Sequence, residues 1–168
     1  QRRLAAAHAT PSSTFGPQYA AELAFDGDRH TKWVASTAPA KSSPQWIRVD
    51  LVAPQEVTGV ALFGEKLGND GVQAGAIQVA GPDGETFKTV VEIPEAPSAN
   101  WLATFPAVKT TAVKILVTRS DGQSPHTDIY EIQLLGPKLS PAQWKAYASE
   151  RLAGCALRRK EAAAAAEK

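Results

Sequence analysis

The stretch PQWIRVDL, residues 44–51, decides the fold class of this chain. Apolar and polar side chains alternate along it, and Ile47, Val49 and Leu51 all fall on one face. Strict alternation is typical of a β-strand that is buried on one side and solvated on the other. The stretch therefore predicts a strand that lies against a hydrophobic core.

Further segments of the same kind follow along the chain. They are rich in Val, Ile, Phe and Thr, and Gly, Pro, Asp and Ser separate them, as in the tight-turn sequence Pro82-Asp83-Gly84. The predicted strands are Val57–Phe63, Ala76–Ala80, Thr86–Ile93, Trp101–Phe105, Val113–Thr118 and Ile129–Leu134. Short strands without intervening helices favour an all-β, antiparallel sandwich over a parallel α/β sheet.

The sequence changes character near its C-terminal end. Ser140-Pro141-Ala142-Gln143 has the form of a helix start, with Ser as the N-cap and Gln three residues later. Trp144, Tyr147 and Leu152 then fall on one helical stripe, which predicts a helix over Ser140–Arg159 with a covered apolar face.

These patterns predict three regions. Residues 1–9 are expected to form a lead-in or linker, residues 10–136 the sandwich, and residues 137–168 a helical extension or a linker to a further domain.

Composition excludes several classes of function. The formal net charge is +1, so no overall field attracts nucleic acid or an anionic membrane. No apolar run approaches the roughly 20 residues of a membrane-spanning helix. Cys155 is the only cysteine, which excludes an intrachain disulfide. We expect no nucleic-acid partner and no membrane insertion.

The loop AFDGDRHTKW, residues 24–33, carries most of the chemical information. Asp26, Asp28 and Thr31 lie close together around Gly27, a residue that tolerates unusual backbone angles. Such a loop can direct several oxygens to one point, as Ca²⁺ requires, although Asp-Gly-Asp is also a common turn sequence. The spacing is not that of an EF-hand, and both interpretations stay open on the residues alone.

Four motifs in order resemble a known superfamily. They are A-F-D-G-D-x-x-T-x-W from Ala24, P-x-W-I-x-V-D-L from Pro44, P-D-G-E-T-F from Pro82 and I-Y-E-I-Q-L from Ile129. This succession resembles the coagulation-factor type C, or discoidin, galactose-binding-like superfamily, and within it the bacterial family 32 carbohydrate-binding modules. The resemblance implies an eight-stranded, jelly-roll-like β-sandwich with binding loops at one end.

The resemblance also implies a structural Ca²⁺ that stabilises the fold. The implied ligands are side chains and backbone carbonyls of six residues: Leu23, Asp26, Asp28, Thr31, Tyr130 and Glu131. Trp33 and Trp46 also match family positions, and we expect both to anchor the core because large aromatic rings dominate core burial.

A ligand is expected at the loops and not on the outer sheet face, where we expect Arg48, Asp50, Lys88 and Lys114 to be scattered without a groove. The predicted ligand-binding residues are Glu65, Lys66, Asn69 and His126, in the loops Glu65–Asp70 and Asp121–Asp128 near Ala35–Ser43. Galactose-binding members often carry a His at the position of Val34, so terminal galactose is not the expected ligand.

The sequence thus predicts a non-catalytic carbohydrate-binding module of a larger secreted bacterial protein. Such a module would bind a glycan, contact neighbouring domains of its own chain and direct an appended enzyme to glycans. Secretion, the cell surface or the periplasm is the expected location. The alternative is a ligand-free structural or protein-interaction domain that packs against a neighbour. An enzyme is not expected, since no G-x-S-x-G nucleophile motif is present.

Overall fold

The computed structural model of this protein describes residues 2–64, 71–95, 99–120, 126–146 and 149. Strands dominate the described residues. Two short 3₁₀ helices, Pro17–Tyr19 and Ala21–Ala24, lie between the second and the third strand. The strands are β1 Arg2–Arg3, β2 Ala6–Pro11, β3 Trp33–Val34, β4 Gln45–Phe63, β5 Val72–Ala80, β6 Phe87–Ile93, β7 Asn100–Ser120, β8 Asp128–Ile129 and β9 Glu131–Gly136.

Every strand pairing is antiparallel, which confirms the predicted fold class. The larger sheet has the order β1-β9-β4-β7-β5-β6, with β2 also paired to β4, and β3 pairs with β8 in a second, two-stranded sheet. The long strands β4 and β7 pair along most of their length, from Gln45 opposite Val117 to Phe63 opposite Asn100.

Two pairs of predicted strands are continuous in the structure. Trp46–Leu51 and Val57–Phe63 are the two halves of β4, and β7 joins Trp101–Phe105 to Val113–Thr118 in the same way. Register shifts and the exposed segment 52–54 separate the halves of β4. Ile47 from one half and Val60 from the other are both fully buried in a single core. Both halves of the β4–β7 ribbon therefore line the same core of a β-sandwich.

The two tryptophans of the family motifs have different environments. Trp33 is completely buried in the core, as predicted. Trp46 is not a core residue, because it lies on the face of β4 opposite to the buried Ile47 and is half-buried. The ammonium of Lys114 lies 5.1 Å from the Trp46 ring and 3.8 Å from the Phe87 ring.

The charged residues on this outer face are also less scattered than predicted. Arg48 donates to Asp50 over 2.9 Å and to Glu85 over 3.2 Å, and its guanidinium lies 5.4 Å from the Phe87 ring. The face therefore carries a connected cluster of ion pairs and cation–aromatic contacts. Most of its charges are already matched by protein groups.

The N-terminal residues differ from the predicted linker. Arg2–Arg3 pairs with β9, and Ala6–Pro11 pairs with the first half of β4. Leu4 and Ala9 are buried in the core, with exposed fractions of 5% and 4%. Residues 2–9 are thus part of the sandwich, and the predicted domain start at residue 10 falls inside a strand.

The chain divides into two compact units, Gln1–Pro137 and Lys138–Lys168, close to the predicted boundary. In the second unit, residues 141–146 are helical, and the predicted N-cap is present. The Ser140 N–H donates to Gln143 Oε1 over 2.9 Å, and the Gln143 N–H donates to Ser140 Oγ over 3.3 Å. Trp144, the first residue of the predicted stripe, is 45% exposed, whereas Tyr147 and Leu152 lie outside the described residues, so the covering of the stripe stays a prediction.

No helix in the described part of the chain has the length and apolar character needed to cross a bilayer.

Candidate functional site

The described residues beside two of the predicted binding loops lie at strand ends. β4 ends at Phe63, which pairs with Glu131, and β5 begins at Val72, which pairs with Ser120 at the end of β7. The hydroxyl of Ser120 donates to the backbone carbonyl of His126 over 2.8 Å. The described residues on either side of the segments 65–70 and 121–125 are therefore held by strand pairing and by this hydrogen bond.

Three of the four predicted ligand-binding residues, Glu65, Lys66 and Asn69, lie outside the described residues, as do residues 121–125. His126 is described and half-buried, and it lies next to Ser120 at the end of β7. Val34, the position that led us not to expect terminal galactose, is buried with an exposed fraction of 6%, and its side chain offers no polar group.

An aromatic cluster that the sequence analysis did not find lies beside His126. The Phe15 ring is 53% exposed, and its centroid lies 4.4 Å from the His126 ring in an edge-to-face arrangement. The Tyr19 ring follows at 6.0 Å. The Phe15 N–H donates to the carbonyl of Val34 over 2.9 Å, which fixes the backbone beneath the exposed ring.

One ring nitrogen of His126 has an assigned role. Nδ1 lies 3.0 Å from the carbonyl oxygen of Ala35, and a carbonyl can only accept. Nδ1 therefore carries the proton, and in the neutral ring Nε2 is an acceptor for a ligand hydroxyl or ammonium group. The cluster thus combines an apolar face with a directed polar group.

A buried glutamine holds the neighbouring loop Ala35–Ser43 in place. The side-chain carbonyl of Gln45 accepts hydrogen bonds of 2.7 Å from both Ser12 and Ser13, and its amide donates to Thr37 over 2.9 Å. Ser13 Oγ also accepts from the Ser36 N–H over 3.0 Å. This network fixes both the loop and the segment that leads to Phe15.

The loop predicted to bind metal turns several oxygens toward one point. Thr31 Oγ1 lies 2.7 Å from Asp26 Oδ2, 3.0 Å from the Asp28 carbonyl and 3.4 Å from the Leu23 carbonyl. The Asp28 carboxylate turns away to His30, whose backbone N–H and ring lower the pKa of Asp28. Asp28 therefore faces Thr31 with its carbonyl and not with its carboxylate.

Glu131, the predicted acidic ligand from the last strand, already has partners. Its side chain is 1% exposed, and it accepts from the Gly27 N–H over 3.2 Å and from the guanidinium of Arg3. Arg3 also donates to the Phe25 carbonyl over 3.4 Å. Burial raises the pKa of Glu131, and the attraction of Arg3 opposes that shift.

These contacts test whether the residues fit a calcium ion. The oxygens of Leu23, Asp26, Asp28 and Thr31 fit in chemistry and in convergence. Among the described residues, no three His, Cys, Asp or Glu side chains gather at one point, so carbonyl and hydroxyl oxygens would dominate. Glu131 would compete for the metal against the guanidinium of Arg3 and the Gly27 N–H, which already bond its two oxygens. Tyr130, the remaining implied ligand, directly precedes Glu131, and its N–H donates to the Phe63 carbonyl over 2.9 Å.

A second buried carboxylate, that of Asp128, lies in sequence between His126 of the aromatic cluster and Glu131 of the predicted metal site. Asp128 is 1% exposed and accepts a 2.7 Å hydrogen bond from Lys32, whose ammonium also lies 4.9 Å from the Tyr130 ring. Partial burial of Lys32 disfavours its charge, but the hydrogen bond and the attraction of Asp128 outweigh burial and raise the pKa of Lys32. This pair fixes β8 against the segment that precedes β3.

Solved structures of carbohydrate-binding modules are similar to the chain. Chitosan-binding module 1 of a chitosanase/glucanase from Paenibacillus sp. IK-5 has a TM-score of 0.67 and 27% identity, covering 81% of this chain and 100% of that chain. Module 2, solved with chitotriose, has a TM-score of 0.65 and 28% identity, covering 80% and 98%.

The family 32 module of NanJ from Clostridium perfringens, solved with galactose, has a TM-score of 0.63 and 22% identity, covering 76% of this chain and 91% of that one, and this similarity concerns the fold alone. No curated protein matches the chain. The profile of the F5/8 type C domain matches residues 8–132, which is most of the chain. The chain belongs to the F5/8 type C domain family.

Proposed function

We propose that this domain is a non-catalytic carbohydrate-binding module that binds its glycan at the loop end around Phe15 and His126. The observation that carries the proposal is the half-exposed Phe15, whose backbone N–H donates to the Val34 carbonyl and whose ring is flanked by His126 and Tyr19. An exposed aromatic ring held by the backbone of a rigid scaffold is suited to stacking on the apolar face of a sugar ring.

The polar surroundings support the same function. His126 Nε2 is an acceptor beside the ring, and Gln45 fixes the adjoining loop through a fully bonded network. A sugar site needs an apolar face with a few directed polar groups. Structures solved with bound sugars belong to similar domains, and two of the most similar are chitosan-binding modules of 27% and 28% identity. Chitotriose is therefore the first ligand to test.

The wider context belongs to the same proposal. We expect the module to be part of a larger secreted bacterial protein, at the cell surface or in the periplasm, and to bring an appended enzyme to its polysaccharide. The support is that the similar chitosan-binding modules derive from a chitosanase/glucanase. The neighbouring domains of the chain would then be additional partners.

A glycan array followed by titration tests the proposal. Phe15→Ala should weaken binding of chitotriose, or of the best array ligand, at least tenfold, which corresponds to about 1.4 kcal/mol. Val52→Ala is the matched control, because Val52 is 68% exposed on the segment between the halves of β4 and lies in neither loop. Loss of binding in the control as well, or no loss in Phe15→Ala, would place the site elsewhere. An array without ligands would favour the alternative of a structural domain that packs against a neighbour.

A further inference from the structure

Strand β1 brings a positive charge to the buried end of the Asp26–Thr31 loop. Arg3 pairs with Leu135 of β9, so its backbone is fixed by the sheet. Its guanidinium donates to Glu131 and to the Phe25 carbonyl, and Nη1 lies 3.9 Å from the point that a Cβ on Gly27 would occupy. One guanidinium therefore contacts both the last strand and the loop.

The buried carboxylate requires such a partner. Glu131 is 1% exposed, and an uncompensated charge at that depth is strongly unfavourable. Among the described residues, Arg3 is the cation whose ion pair with Glu131 is observed. A guanidinium suits the task because its planar set of donors reaches a carboxylate and a backbone carbonyl together.

We propose that Arg3 serves as the resident cation of this site, holding the Asp26–Thr31 loop on Glu131 and competing with Ca²⁺ for the same carboxylate. A calcium ion that took Glu131 as a ligand would lie next to the Arg3 guanidinium. Because two cations bound to one carboxylate repel each other, calcium would have to displace the guanidinium. The stability of the native chain should therefore depend only weakly on calcium. Removing the guanidinium should make that dependence strong.

The test compares melting temperatures in EDTA and in excess CaCl₂ for the wild type and Arg3→Gln. Arg3→Gln should melt lower than the wild type in EDTA, and calcium should raise its melting temperature at least twice as much as it raises that of the wild type. Isothermal titration should show at least tenfold tighter calcium binding by the variant. Neither readout involves glycan binding, so the result is independent of the proposed function.

Arg2→Gln is the matched control, because Arg2 lies on the same strand and donates to Gln55 rather than to Glu131. It should respond to calcium as the wild type does. Equal calcium responses of the wild type and Arg3→Gln, including no response in either, would overturn the proposal. If Arg3→Gln folds only in calcium, the proposal is supported. If it does not fold at all, Arg3→Met, which also removes the charge, replaces it, and a calcium response equal to that of the wild type would again overturn the proposal.

Discussion

Loss of the Lys32 charge should destabilise the domain more than a typical surface substitution. Lys32 donates to Asp128 over 2.7 Å, and the side chains are 25% and 1% exposed. Lys32→Met keeps the length of the side chain and its contact with the Tyr130 ring, but leaves the Asp128 carboxylate buried without its ammonium partner. The change therefore isolates the charge.

The expected magnitude follows from the burial of Asp128. Removing one partner of a buried ion pair costs about 3–5 kcal/mol, and the partial exposure of Lys32 favours the lower end, about 3 kcal/mol. For a unit the size of Gln1–Pro137, that free energy corresponds to a fall in melting temperature of roughly 10 °C. Urea unfolding measures the free energy directly.

A double variant separates the ion pair from local packing. Lys32→Met combined with Asp128→Asn removes both charges, and most of the lost stability should return. Lys41→Met is the control for an exposed lysine in the loop Ala35–Ser43, and its effect should stay within about 0.5 kcal/mol. A loss below about 1 kcal/mol in Lys32→Met, or no recovery in the double variant, would refute the reasoning.

The pH dependence has a defined sign. The pKa of Lys32 is raised in the folded state, so its contribution is fully present below the pKa of an unfolded lysine, about 10.4, and is lost as pH rises through the folded value. The difference between the wild type and Lys32→Met should therefore be constant from pH 7 to 9 and narrow only above about pH 10. A difference that narrows between pH 7 and 9 would show that another group is responsible.

Two further predictions concern the sheet. Gly75→Ala places a Cβ 1.9 Å from the Leu116 carbonyl oxygen, so it should destabilise the fold by at least about 2 kcal/mol in urea unfolding, whereas Gly81→Ala, whose nearest atom lies at 3.4 Å, should be nearly neutral. Equal effects of the two would contradict the tight β5–β7 approach at Gly75. Deleting residues 1–9 removes β1, most of β2, the buried Leu4 and the partner of Glu131, and should lower the melting temperature by more than 10 °C. A truncated chain that melts like the full one would show that these strands are dispensable.

The longer strands of the sandwich could be predicted because the pattern of apolar and polar residues in them marks the buried face. Ile47, Val49 and Leu51 alternate with polar residues, and all three are buried. The continuity of β4 could not be predicted, because Pro54 and its exposed neighbours read as a turn between strands. The segment stays extended because it is joined at both ends to the same partner, β7.

The site could be predicted only in part, since it depends on contacts between distant segments. Asp26, Thr31 and Glu131 belong to recognisable motifs, and the structure places them in one region. Arg3 and Phe15 carry no local signal. The stretch RRLAAA, residues 2–7, has little strand propensity. Phe15 directly precedes the turn-forming pair Gly16-Pro17.

Arg2–Arg3 are ordered by pairing with β9, and Ala6–Pro11 by pairing with β4. The Phe15 ring lies beside the rings of Tyr19 and of His126, which is distant in sequence. The family motifs therefore lie in the scaffold, whereas the N-terminal segment adds two groups that the motifs do not contain. It supplies the guanidinium that pairs with Glu131, and it supplies the aromatic ring beside His126. Both groups are held by backbone hydrogen bonds to strands of the core, so they can be substituted without redesigning the sandwich. Substitutions at Arg3 and at Phe15 should therefore change calcium dependence and glycan binding separately.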